Sequence, residues 1–132
     1  MVSAIGLLIG RLLFGGVIAF MGLNHFQDVE GLTAYAEAKG LPVPRATVVA
    51  SGIALVAGGV GIAIGAFAVV AGLLVAGFLL IAAVTMHDFW AVEDTQTEMT
   101  QFLKNVALAG GAIAIAATAT DPWSYAIGIG LV

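Results

Sequence analysis

Cysteine is absent from the 132-residue chain, and charged side chains are scarce. The lack of thiols excludes disulfides, thiolate catalysis and iron–sulfur ligation within this chain. Only 9% of the residues are charged and 61% are hydrophobic, whereas a soluble domain has about 25% charged and about 45–50% apolar residues. This composition indicates a protein embedded in lipid. The four basic side chains are outnumbered by eight acidic ones, so we expect no nucleic-acid partner.

One uncharged stretch organises the rest of the chain. It runs from Ala46 to Met86 without an acidic, basic or histidine side chain, and as a straight helix it would measure roughly 60 Å. A bilayer core is about 30 Å thick, so this length fits two crossings. Because glycine breaks helices and reverses the chain, we predict a tight turn between Gly61 and Phe67.

Two further apolar segments complete the set, one over residues 2–23 and one over residues 102–120. We therefore predict an all-α, four-transmembrane-helix bundle that forms one integral membrane domain over residues 1–132. Its helices are expected at about 2–23, 46–65, 67–86 and 102–120. The polar segment between the first two contains helical spacing, which predicts a short interfacial helix over about Glu30 to Lys39. An even number of crossings predicts a multi-pass cell-membrane protein with both termini on one side.

Polar groups in a membrane are costly and are therefore functional candidates. Three predicted helix ends carry them to one face of the bundle, and the candidates there are Asn24, His25, His87, Asp88, Trp90, Lys104 and Asn105. Lys104 opposes the dipole at the predicted start of its helix, so we expect either an ion pair with Asp88 or Glu98 or extension of the ammonium to water. For Arg11, within the first crossing, we favour a pair with Asp121 or extension to the interface over anion or quinone binding.

The two histidines admit three interpretations. Imidazoles on opposing helices can ligate haem or a metal, but no chelating HxxxH or ExxH spacing is present. We favour two interfacial histidines that bind loop carbonyls or Asp88, and we expect neither haem nor a metal site. Proton handling beside a quinone headgroup is the intermediate interpretation, because histidine titrates near neutrality. No nucleophile–base triad is visible, so no residue is assigned as catalytic.

Several short motifs occur in a characteristic order. They are Arg11 with the following Leu-Leu-Phe-Gly-Gly, Gly22-Leu23-Asn24-His25-Phe26, Leu41-Pro42-Val43-Pro44, His87-Asp88-Phe89-Trp90, Phe102-Leu103-Lys104-Asn105 and Leu108-Ala109-Gly110-Gly111. In this order and spacing the chain resembles the DoxX family of small four-helix membrane proteins. The resemblance adds Arg11 to the candidate layer. A glutamate that many relatives carry in the second helix is absent, since Ile53-Ala54-Leu55-Val56 stands there.

The residues and the resemblance together leave three functional hypotheses. The first is an accessory or non-catalytic membrane subunit, with a redox complex as its setting and a membrane protein or a second copy as partner. The second is a quinone-reactive oxidoreductase subunit that uses His25, His87 and Lys104, with quinone as cofactor. The third is a protein that binds lipid or a small hydrophobic ligand inside the bundle.

Overall fold

The computed structural model describes residues 2–130 of the chain. It contains five α-helices and no strand within that range: α1 (Val2–Gln27), α2 (Val29–Ala38), α3 (Pro44–Ile64), α4 (Ala68–Met86) and α5 (Thr95–Ala117). A 3-10 turn (Thr118–Thr120) follows α5. By length and composition, four of the helices can cross a membrane. The predicted all-α bundle with four membrane-spanning helices is therefore confirmed.

Two helices are longer than their apolar runs. α1 continues to Gln27 instead of ending at residue 23, and α5 begins at Thr95 instead of residue 102. Asp94 stabilises this early start, since its carboxylate accepts a hydrogen bond from the backbone N–H of Thr97 at 3.3 Å. The apolar run marks the part of a helix that suits lipid, whereas the backbone continues until a cap or a breaker ends it.

The reversal between α3 and α4 lies where the sequence predicts it. Gly65 ends α3 with a left-handed φ of 70°, which glycine adopts without a steric penalty. The N–H of Ala66 then donates to the carbonyl of Gly61 at 2.9 Å, which caps the end of the helix. The short helix predicted over about Glu30 to Lys39 is also confirmed as α2, whose first turn is capped by the Asp28 carboxylate.

Small residues set the distances between the long helices. A Cβ added at Gly15 of α1 would lie 2.7 Å from the backbone nitrogen of Ala63 in α3, and one at Gly22 would lie 2.7 Å from that of Val56. α1 and α3 are therefore in close backbone contact, as expected where lipid competes for larger apolar surfaces. The buried core shared by the long helices consists of Ile18, Leu55, Ile62, Ala71, Val75, Ala76, Leu79, Ala109 and Ala112.

The bundle has two chemically different ends. We call the end with α2 and residues 87–94 the loop end. The opposite end, with the α3–α4 turn and the C-terminal tail (residues 121–130), is the hairpin end. The tail folds back onto the turn, because the N–H of Ile127 donates to the Ile64 carbonyl at 2.9 Å and that of Gly128 to the Gly65 carbonyl at 3.1 Å.

Candidate ligand cavity at the loop end

An apolar cavity of about 170 Å³ lies at the loop end. The end of α1, the first half of α3 and the second half of α4 form its walls, and α2 with the following Leu41 lies beside them. Its lining residues are His25, Leu32, Ala36, Leu41, Thr47, Val48, Ser51, Phe78, Ile81, Ala82, Thr85 and Met86. His25 is the only ionisable side chain in this set.

His25 presents a hydrogen-bond acceptor to its surroundings. Its Nδ1 lies 2.9 Å from the carbonyl oxygen of Met21, one turn earlier in α1. A carbonyl only accepts, so Nδ1 carries the proton and donates it. In the neutral imidazole Nε2 then has a lone pair, and within residues 2–130 the hydrogen bond of His25 involves Nδ1 and not Nε2. The ring also contacts Phe78 edge-on, with centroids 6.3 Å apart.

The hydroxyl groups of the cavity wall already donate hydrogen bonds to backbone carbonyls. Ser51 donates to the carbonyl of Val48 at 2.8 Å, and Thr85 donates to that of Ile81 at 2.7 Å. Thr47 donates to the carbonyls that precede α3. Each hydroxyl therefore keeps only acceptor capacity. The polar atoms that the wall offers to a ligand are acceptors, and His25 supplies the strongest of them.

Two contacts hold α2 against the end of α4. The Tyr35 hydroxyl donates to the Met86 carbonyl at 2.9 Å, and the Lys39 ammonium contacts the Asp88 carboxylate at 2.5 Å. The hydrogen bond with Asp88 raises the pKa of Lys39, and the same bond lowers the pKa of Asp88. Burial raises the pKa of Tyr35. These contacts place α2 as a cover on one side of the cavity.

The second histidine belongs to a different group of contacts. His87 Nδ1 lies 2.9 Å from a carboxylate oxygen of Glu98 at the start of α5, and His87 does not line the cavity. Both histidines lie at the loop end, but His25 lines the cavity and His87 contacts Glu98. Among residues 2–130, no group of three or more His, Cys, Asp or Glu side chains is placed to hold a metal ion.

Of the two alternatives for Lys104, the ion pair with Asp88 or Glu98 is wrong, and the side chain is exposed. Its ammonium contacts the side-chain oxygen of Gln101 at 2.6 Å, because Lys39 occupies Asp88 and His87 occupies Glu98. Because α5 begins at Thr95, Lys104 also lies beyond the first turn of its helix. Only within that first turn would the helix dipole have required a negative partner for the ammonium.

The remaining loop-end candidates are not gathered around the cavity. Trp90 is exposed and meets Phe89 and Phe102 edge-on, at centroid distances of 5.2 and 6.0 Å. Asn105 is buried on α5, and Asn24 is exposed near the end of α1. None of the three lines the cavity.

Arg11 lies at the hairpin end, away from the other candidates. Its Nη2 donates to the backbone carbonyls of Ser124 and Tyr125, and its guanidinium lies 5.5 Å from the centroid of the Trp123 ring. Asp121 is exposed and makes no ion pair with it within the described chain. The expected Arg11–Asp121 pair is therefore wrong, because the tail presents its backbone, not its carboxylate, to the arginine.

Sequence reasoning missed most of the cavity. Ser51 and Thr85 were the available signals, since each interrupts an apolar run close to a helix end at the loop side. Phe78 and Ile81 gave no signal in the sequence. The same apolar residue types occur on a membrane helix whether they face lipid, the core or a ligand. Only the packing of α2 over α3 and α4 distinguishes them.

The fold and the apolar helices define the chain as an integral membrane protein of the small helical-bundle class. The DoxX family profile matches residues 6–88, which run from α1 to just beyond α4, and the chain belongs to the DoxX family. Neither a curated protein nor a solved structure matches the chain. All residues of the cavity lie inside the matched range, whereas α5 and the C-terminal tail lie outside it.

Proposed function

We propose that this protein binds a small amphiphilic molecule in the loop-end cavity, with a hydroxyl group of the ligand donating to His25 Nε2. The observation that carries this proposal is the chemistry of the wall. Its hydroxyl protons are committed to backbone carbonyls, so its free polar atoms accept hydrogen bonds. A ligand with a donor completes these acceptors, whereas a ligand that offers only carbonyl oxygens leaves them unpaired.

The size of the cavity limits what it encloses. Its volume of about 170 Å³ is close to the roughly 150 Å³ of an engineered apolar cavity that binds benzene. One ring or a short alkyl chain with a hydroxyl group therefore fills it. A longer apolar tail would have to extend outside.

The exposure of one wall residue supports access from the bilayer. Ile81, which lines the cavity, is 63% exposed, and the neighbouring Leu80 and Val84 are also exposed. This surface of α4 is apolar and suits contact with lipid. A hydrophobic ligand could move from the membrane into the cavity without crossing water.

A pair of matched ligands tests the proposal. Titration of the purified protein in detergent with para-butylphenol and with para-butylanisole compares the same ring with and without a donor. A neutral hydrogen bond contributes about 0.5–1.5 kcal/mol, so we expect the phenol to bind about two- to tenfold more tightly. His25→Phe should remove this preference, and His87→Phe, the matched control outside the cavity, should keep it. Equal binding of both ligands to the unmodified protein would contradict the proposal.

The other two hypotheses have less support at this site. A quinone site built from His25, His87 and Lys104 gains no support, because only His25 lines the cavity. The accessory role in a membrane complex, including a redox setting, stays a prediction from the family resemblance. Purification of the tagged protein in mild detergent, with identification of any stoichiometric partner, tests it.

A further inference from the structure

Arg11 is the most deeply buried charged side chain at the hairpin end. It is 1% exposed and lies on α1, between the α3–α4 turn and the C-terminal tail. The ion pairs of the described chain are Lys39–Asp88 and Arg45–Glu30, and His87 contacts Glu98; all three contacts lie at the loop end. Arg11 has no carboxylate partner among residues 2–130. A buried cation without a counter-ion is costly, which marks this position as chemically incomplete.

The guanidinium also has unused donors. Neither Nε nor Nη1 has a hydrogen-bond partner in the part of the chain that the structure describes. Nη2 alone is occupied, by the carbonyls of Ser124 and Tyr125. The face of the guanidinium lies over the Trp123 ring, which contributes a weaker electrostatic attraction.

A second group of free donors lies close by. Phe67 provides no side-chain cap for α4, and the backbone N–H groups of residues 68–70 have no backbone acceptor within residues 2–130. Trp123 connects this helix start to Arg11, because it belongs to the same buried cluster as Ala68 while its ring lies under the guanidinium. The start of a helix favours an anion. The partial negative charge at the end of α3 offsets the partial positive charge at the start of α4. The full positive charge of Arg11 therefore supplies the net attraction for an anion.

The level of the site in the bundle suits a headgroup. α3 and α4 have 21 and 19 residues, which corresponds to roughly 30 Å each, the thickness of the apolar layer of a bilayer. Their connecting turn therefore marks an edge of that layer. Nη1 of Arg11 lies 2.7 Å from the position that a Cβ on Gly65 would occupy, which places the guanidinium at this turn.

We propose that Arg11 and the start of α4 form a binding site for a phosphate oxyanion, and that the C-terminal tail covers this site. A phosphate binds an arginine best through two parallel N–H bonds along one edge of the guanidinium. Both edges available for such binding include Nη2, which now contacts the tail carbonyls. The oxyanion and the tail therefore compete for Arg11, and binding releases the tail.

The fluorescence of Trp123 reports this competition directly. Trp90→Phe leaves Trp123 as the only indole, and Trp90 belongs to neither proposed site. In phosphatidylcholine nanodiscs, we expect added phosphatidic acid to shift the Trp123 emission to longer wavelength and to increase proteolysis of the tail. A parallel titration with inorganic phosphate at constant ionic strength distinguishes the source. A response to the lipid alone assigns a headgroup, and a response to both assigns the oxyanion itself.

Arginine variants decide whether Arg11 is responsible. Arg11→Gln should abolish the shift, and Arg45→Gln, an exposed arginine at the loop end, should leave it unchanged. Arg11→Lys keeps the charge but loses the fork, so the titration midpoint should rise about tenfold, and this variant decides the question if Arg11→Gln fails to fold. The proposal is overturned by a lack of response to either phosphate source. It is equally overturned by a response that Arg11→Gln, or Arg11→Lys, leaves unaltered.

Discussion

The two ends of the bundle neutralise their cations in different ways. At the loop end Lys39 and Arg45 each face a carboxylate, and the exposed Lys104 contacts the side chain of Gln101. At the hairpin end Arg11 is almost fully buried and contacts two backbone carbonyls and an aromatic ring. The desolvation free energy of an ionised carboxylate is small where water reaches it and large where water is excluded. The comparison shows that the buried end relies on the folding of the tail, whereas the loop end relies on side-chain pairs.

The largest expected effect concerns the close backbone contact between α1 and α3. Gly15→Val should destabilise the bundle by about 3 kcal/mol or more, because the new side chain meets the backbone of α3. Gly16→Val is the matched control, since a Cβ at Gly16 meets nothing within 4 Å. Circular dichroism during thermal unfolding in detergent measures both. If the two variants unfold alike, the close approach of α1 and α3 does not organise the bundle.

A glycine pair separates backbone strain from packing between the α3–α4 turn, the tail and Arg11. Gly65→Ala places a side chain at φ 70° and close to Ala126 of the tail and to Nη1 of Arg11, whereas Gly128→Ala has the same φ but no atom of residues 2–130 within 4 Å of the new side chain. The left-handed conformation costs about 1–2 kcal/mol in each variant. We expect Gly65→Ala to cost at least about 1 kcal/mol more in the free energy of unfolding. Equal losses would show that Ala126 and Arg11 move aside without a cost in stability.

A tyrosine at each end permits a smaller test. Tyr35→Phe removes the hydrogen bond to the Met86 carbonyl that holds α2, with an expected loss of about 0.5–1 kcal/mol. Tyr125→Phe should change stability by less than about 0.5 kcal/mol, because its side chain is exposed. Hydrogen exchange of α2 amides should accelerate only in Tyr35→Phe. Unchanged exchange in that variant would show that α2 is held by its other contacts.

The smallest expected effect is a pH dependence confined to the loop end. Because Lys39 lowers the pKa of Asp88 below its ordinary value of 3.8, the folded state binds protons less readily than the unfolded state. This contribution is complete above that ordinary value and is lost as the pH falls through the lowered pKa. The raised pKa of Lys39 preserves its contribution until the pH exceeds the ordinary lysine value of 10.5. Hydrogen exchange of α2, corrected for the intrinsic pH dependence of amide exchange, should therefore accelerate at acidic pH.

Asp88→Asn is the control for this pH dependence. It removes the titrating carboxylate, so the acidic acceleration should shrink while exchange at neutral pH becomes faster. The hairpin end provides the internal comparison, because no carboxylate within residues 2–130 pairs with Arg11 and could release it on titration. Acceleration of the same size in both proteins would assign the effect to another group.

The loop-end contacts show why the partners of the charged side chains could not be predicted from the sequence. Asp88 and Glu98 were both expected as partners of Lys104, yet Lys39 and His87 occupy them. Lys39 is separated from Asp88 by 49 positions in the chain. Composition cannot rank such distant partners, since the choice depends on the position of α2 across the bundle. The mistaken Arg11–Asp121 pair has the same cause, because only the path of the tail turns Asp121 outward.

The sequence by itself determined the membrane class, the four long helices, the turn near Gly65 and the family. These properties are local, because the length of an apolar run and the position of a glycine act on the backbone directly. The tertiary structure alone decided that α2 covers a cavity containing His25 and that the tail covers Arg11. Both arrangements depend on contacts between segments far apart in the chain, and such contacts exist only once the helices have packed.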